Sequence, residues 1–156
     1  MILQKMKIGD SCLLYAAAMV LDIPASALVK EIGHDGSEVW FPEYDKPERG
    51  INIQEIVDAC FAHGKSLTPV HRYPANSPDG DAHRPLWPET VADNRFFGII
   101  SGFSGILIGL TANGVRHSCA WDSSIIYDPR GYQHGLSDYS KRMFEITECW
   151  VISNLS

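Results

Sequence analysis

Three residues have types suited to nucleophilic chemistry: Cys12, His117 and Asp128. Cys12 stands where a helix is expected to begin. Gly9-Asp10-Ser11-Cys12 gives way to the apolar run Leu13-Leu14-Tyr15-Ala16-Ala17-Ala18-Met19-Val20-Leu21. Asp10 or Ser11 can cap that helix by accepting an orphan backbone N–H. A thiol in the first turn feels the positive end of the helix dipole, which lowers its pKa and favours thiolate. A helix apolar on nearly every side is expected to be buried.

His117 and Asp128 frame a predicted hairpin, with strands at Val115–Trp121 and Ser124–Tyr127. With Asp122-Ser123 as a two-residue turn, Trp121 pairs with Ser124. His117 then stands directly opposite Asp128, with Cβ atoms ~5 Å apart. A carboxylate there holds an imidazole in one tautomer and stabilises its charged form. A slip by one residue would put Cys119 opposite Asp128 instead. Asp122 is a rival partner for His117 but fits a turn position better. The chemistry such a set performs is attack of a thiolate on a carbonyl, with the imidazole moving the proton. Backbone N–H groups at the helix start would meet the oxyanion.

The elements that must position these groups are legible in outline. The first helix is expected from Cys12 to Leu21. A second runs from Ala25 to Ile32, with Pro24 at its start and Gly33 as its stop. A third follows Asn52, with Glu55 completing a capping box and Ile53, Ile56, Val57, Cys60 and Phe61 as its apolar stripe. Ser66–Tyr73 reads as a strand, and Pro69 puts it at an edge or bulge. Residues 74–88 read as a loop and Glu89–Ile100 as a helix. Ile106–Leu110, Val115–Trp121, Ser124–Tyr127 and Glu145–Ile152 read as strands, with Asn113-Gly114 as a hairpin turn. Helices first and strands later predict an α+β fold in one domain over residues 1–156.

Composition narrows the function. The 156 residues carry a formal net charge of −6 and no Lys/Arg cluster, which disfavours nucleic-acid binding. No run approaches the ~18 apolar residues of a membrane helix, and the first residues lack a signal-peptide core. A soluble cytosolic protein with reduced thiols is expected. Cys60, Cys119 and Cys149 read as small core residues. The cysteine and histidine spacing gives no support to a zinc site, and neither metal nor cofactor is expected.

A Cys heading a central buried helix, with His and Asp on later strands, resembles the layout of papain-like cysteine peptidases. More narrowly, Asp10-Ser11-Cys12 with Ala16-Ala17-Ala18-Met19-Val20-Leu21 looks like the active-site helix of bacteriocin-processing peptidases attached to ABC transporters. His117 through Tyr127-Asp128-Pro129 resembles their His strand and Asp-Pro motif. The overall flavour is also similar to small papain-fold proteins encoded by phages. The resemblance implies a papain-like fold, with N-terminal helices packed on a C-terminal antiparallel sheet. It implies Cys12 as nucleophile, His117 as general base, Asp128 as orienting residue, and a protein or peptide substrate. The family's oxyanion glutamine has one candidate, Gln4, which lies farther upstream of the Cys than is usual. Leu13 stands where the family tends to have Gly.

Other residues have simpler readings. Trp40 and Phe41, on the long irregular stretch after Gly33, are candidate substrate-binding residues or anchors of that loop. His34 and Asp35 suit a loop turn better than a second acid–base pair. His63, His71, His83 and His134 read as surface or loop residues. The competing functional reading is a catalytically inactive papain-fold module, such as a viral protein that blocks a host factor.

Overall fold

The computed structural model describes residues 1–7, 9–75, 84–140 and 144–156. Residues 76–83 of the predicted 74–88 loop, His83 among them, lie outside the described residues. Among the described residues the chain forms four α-helices and a six-stranded antiparallel sheet, an α+β architecture. The helices are α1 (Cys12–Val20), α2 (Ala25–Ile32), α3 (Ile53–Ala62) and α4 (Glu89–Gly102). The strands are β1 (Lys65–His71), β2 (Ser104–Leu110), β3 (Arg116–Asp122), β4 (Ile125–Asp128), β5 (Tyr132–Gly135) and β6 (Glu145–Asn154). They lie in the order β1-β6-β2-β3-β4-β5, so the last strand of the chain is inserted beside the first.

Local chemistry sets the helix ends. Ser11 caps α1, its Oγ accepting the Leu14 N–H at 3.2 Å. Gly33 ends α2 in the left-handed region, at φ 92°. Asn52 and Glu55 cap α3 reciprocally, at 2.8 Å to the Gln54 N–H and 2.9 Å from the Asn52 N–H. Pro69 lies in β1, an edge strand, where a missing N–H costs no ladder bond on the open side.

Two apolar layers follow from the alternation of side chains along the strands. On one face, Ile106, Ile108, Ala120 and Tyr127 pack with Leu14, Ala16–Val20, Leu28, Ile56 and Cys60 of α1, α2 and α3. On the other, Leu107, Cys119, Trp121 and Ile126 pack with Phe96 and Ile100 of α4 and with Phe144, Ile146 and Cys149. The Trp121 indole N–H donates to the Ile100 carbonyl at 2.8 Å, which fixes α4 on the sheet. The alanines of α1 are fully buried, and their small size lets the helix axis lie close to β2 and β3. No single helix among the described residues is long and apolar enough to cross a membrane.

The hairpin register differs from the sequence expectation. Its turn is Ser123-Ser124, with Ser123 at φ 26°, and Ala120, Trp121 and Asp122 pair with Tyr127, Ile126 and Ile125. Both registers make two-residue turns, so the sequence pattern does not choose between them. A further strand, β5, pairs with β4 over Tyr132–Gly135; its polar sequence gives no strand signal.

Candidate active site

Cys12 is the first residue of α1 and is half-buried. Its sulfur interacts with the His117 side chain and with both the N–H and the hydroxyl of Ser118, two neighbours on β3. Burial pushes the thiol pKa up, but the hydrogen bond and charge of His117 and the Ser118 donors outweigh it, and the net direction is down. Around the sulfur opens a cleft of about 330 Å³ lined by Leu13, Ile51, Asn52, Ile53, Arg116 and Ser118.

His117 is buried, 4% exposed, and so is Asp128, at 1%. The His117 Nε2 lies 3.0 Å from Asp128 Oδ1. With that nitrogen engaged, Nδ1 is the ring nitrogen left for Cys12. Phe144 walls the ring edge-on at 5.5 Å between centroids. Burial opposes the charged imidazole, yet the bonds and charges of Asp128 and Cys12 prevail and raise its pKa to about 9. For Asp128, burial raises the pKa, but His117 and Arg130 hold it well below the usual carboxylate range.

The contact between His117 and Asp128 survives the altered register because both registers keep the same face. In the observed one, continuation of the ladder puts Cys119 opposite Asp128, and His117 is a diagonal neighbour on that face, within reach of a long side chain. The Cys119 sulfur lies within 4.8 Å of the same carboxylate, and burial and the Asp128 charge push its thiol well up. Two thiols near one His–Asp pair are thus driven in opposite directions. Asp122, the rival partner, sits at the far end of β3 and accepts from the Tyr127 hydroxyl at 3.0 Å.

Gln4 does not serve this site, which corrects the oxyanion expectation. Its amide donates to the Ile23 carbonyl at 2.7 Å and accepts from the Ala25 N–H at 2.9 Å. Ile23 lies in the α1–α2 turn and Ala25 is the first residue of α2, both at the end of α1 away from Cys12. At the Cys12 end of α1, the first-turn N–H groups of Cys12 and Leu13 have no intrahelical acceptor. Trp40 and Phe41 are also displaced from the expected role, since neither lines the Cys12 cleft. They sit on a surface loop pinched at its neck, where the Gly50 N–H donates to the Gly36 carbonyl at 3.0 Å. The Arg49 guanidinium covers the Trp40 ring at 3.8 Å. His34 is a structural residue: Nε2 bonds Glu55 at 2.5 Å and Nδ1 accepts the Gly36 N–H. His63 pairs with Glu31 and His134 stacks on Tyr132.

Two participants are absent from the sequence reading. Ser118 follows His117, and no motif marks it as a sulfur partner. Arg130 binds both oxygens of Asp128 from the turn that follows it. The donor atoms of His117, Cys119 and Asp128 lie within 4.8 Å of one another, the spacing of a metal-ligand set. A cation there would have to part His117 from Asp128 and displace the Arg130 guanidinium, so the set fits an ion poorly. No protein-family model matches the chain, and no curated protein matches it.

Proposed function

We propose that the chain is a cysteine-dependent hydrolase or acyltransferase of papain-like fold, acting on a peptide, isopeptide or amide bond. The observation that carries this reading is the meeting of a first-turn thiol, a buried imidazole and a buried carboxylate, with the thiol pKa lowered and the imidazole pKa raised.

His117 takes the Cys12 proton, giving a thiolate–imidazolium pair. The thiolate attacks the carbonyl carbon and the carbonyl π electrons move to oxygen, where the Cys12 N–H meets the oxyanion. Collapse breaks the C–N bond, and His117 returns its proton to the departing amine. Water or another acceptor, giving its proton to His117, then attacks the thioester carbon; the C–S bond breaks, the acyl product leaves, and His117 returns the proton to the Cys12 sulfur. Four free cysteines accord with a reducing, cytosolic setting.

A thiol-reactive probe tests the reading. Iodoacetamide at near-neutral pH is expected to label Cys12 selectively, and His117→Ala to abolish the fast reaction. Equal slow labelling of both proteins would instead leave a papain-fold binding module.

A further inference from the structure

We propose that Arg130 is a positioning residue of this site, holding the Asp128 carboxylate in the single orientation that serves His117; the inference rests on Cys12 being the nucleophile. Asp128 Oδ1 accepts from His117 Nε2 at 3.0 Å, from the Arg130 backbone N–H at 2.9 Å and from Arg130 Nε at 3.1 Å. Oδ2 accepts from Arg130 Nη2 at 2.7 Å and from Nε at 3.1 Å. A planar guanidinium binding both oxygens fixes the carboxylate plane as a point charge cannot.

The turn makes this fork possible. The Gly131 N–H donates to the Asp128 carbonyl at 2.9 Å with Gly131 at φ 108°, which folds the chain back on itself. The Met6 N–H donates to the Pro129 carbonyl at 2.8 Å and pins the turn from outside. Arg130 is therefore held over a carboxylate that is 1% exposed while its own side chain stays 38% exposed. Among the described residues, the other titratable groups that face this set are His117 and Cys119 from β3, Cys12 from α1 and Tyr132 from β5, and the Lys5 stem lies against Gly131 of the same turn.

Charge and orientation predict opposite effects. As a mere cation, Arg130 repels the imidazolium, and its removal would make His117 more basic. As an orienting fork, its removal frees Asp128 to rotate, weakens the support of His117, and lets the Cys12 thiol pKa rise.

The experiment is the pH profile of iodoacetamide alkylation of Cys12 in the full chain, in Arg130→Lys and in Arg130→Gln, alongside the ring titration of His117 by NMR in Cys12→Ser backgrounds. Both substitutions are expected to slow alkylation at pH 6 by about tenfold, the equivalent of one pH unit in the thiol, and to make His117 less basic. Lys keeps the charge and bulk, so it carries the test even if the Gln variant does not fold. A wild-type profile in Arg130→Lys, or a more basic His117 in either variant, overturns the proposal. If His117→Ala itself leaves alkylation unchanged, the nucleophile reading has failed first.

Discussion

The His117 ring and the Asp128 carboxylate meet on a diagonal of the β3–β4 hairpin, 3.0 Å apart, with Cys119 in the position across the ladder from Asp128. The diagonal leaves the carboxylate open on its other side to Arg130 and leaves His117 Nδ1 to the Cys12 sulfur. It also makes the basicity of His117 depend on one buried negative charge.

Removing that charge without changing shape tests the dependence. In Asp128→Asn the His117 pKa is expected to fall from about 9 by about 1–3 pH units, the worth of an opposite charge in contact. Alkylation of Cys12 at pH 7 should slow by about tenfold or more as its imidazolium partner is lost. NMR titration of the ring and the alkylation rate check the two halves separately.

The same pair sets a pH window for stability. His117 binds its proton more tightly in the folded chain, at about 9, than at the ordinary 6.5. Its contribution is complete below about pH 6.5 and is lost as pH rises toward 9. Asp128, held low, contributes above the ordinary carboxylate value of 3.8 and loses that contribution as pH falls below it. Cys12 has the Asp128 sign, so Cys12→Ser removes it from the alkaline limb. Chemical denaturation of Cys12→Ser, compared with Cys12→Ser/His117→Gln, should show about 1–3 kcal/mol of His117-dependent stability at pH 6 disappearing by pH 9. A flat difference across that range would contradict the assignment.

Gln4 separates a staple from a catalytic donor. Its amide closes the α1–α2 turn through Ile23 and Ala25, and the length of α1 puts that turn about 12 Å from Cys12. Gln4→Ala is expected to cost about 1–3 kcal/mol of stability, since it unpairs a carbonyl and an N–H. The alkylation rate of Cys12 should stay within about twofold of wild type, because no donor near the sulfur is touched.

What the sequence discloses here is what local chemistry decides. The Asn52–Glu55 capping box, the Gly33 stop and the Ser11 cap each need only a few neighbouring residues, and the helices begin and end where those signals stand. Cys12, His117 and Asp128 are legible because their types match a reaction and their elements are strongly patterned. The rest depends on pairing between distant segments. Nothing in Glu145–Asn154 says that it enters between β1 and β2. The polar Tyr132–Gly135 becomes a strand only because β4 offers an edge. Arg130 carries no sequence signal of its contact, which exists only once the turn closes over a buried carboxylate. Gln4 invites an oxyanion role by chain order alone, and its partners lie at the wrong end of the helix for that role.

Gly109 links the sheet to the site, and it gives a sharp prediction. It pairs directly with His117 across β2 and β3, beside the irregularity where β2 shifts register against β6. A Cβ there would come within 2.0 Å of the Glu145 carbonyl oxygen, a backbone atom that cannot rotate away. Gly109→Ala must therefore push β6 from β2, at a cost of about 3 kcal/mol, and shift His117 with its strand. Thermal melting and Cys12 alkylation should both decline in this variant. Gly98→Ala is the control. That glycine lies exposed within α4 with nothing within 4 Å of the added methyl. Its replacement should stabilise the helix by about 0.5–1 kcal/mol and leave Cys12 reactivity unchanged. Equal effects at the two positions would mean that close packing opposite His117 is irrelevant to the site.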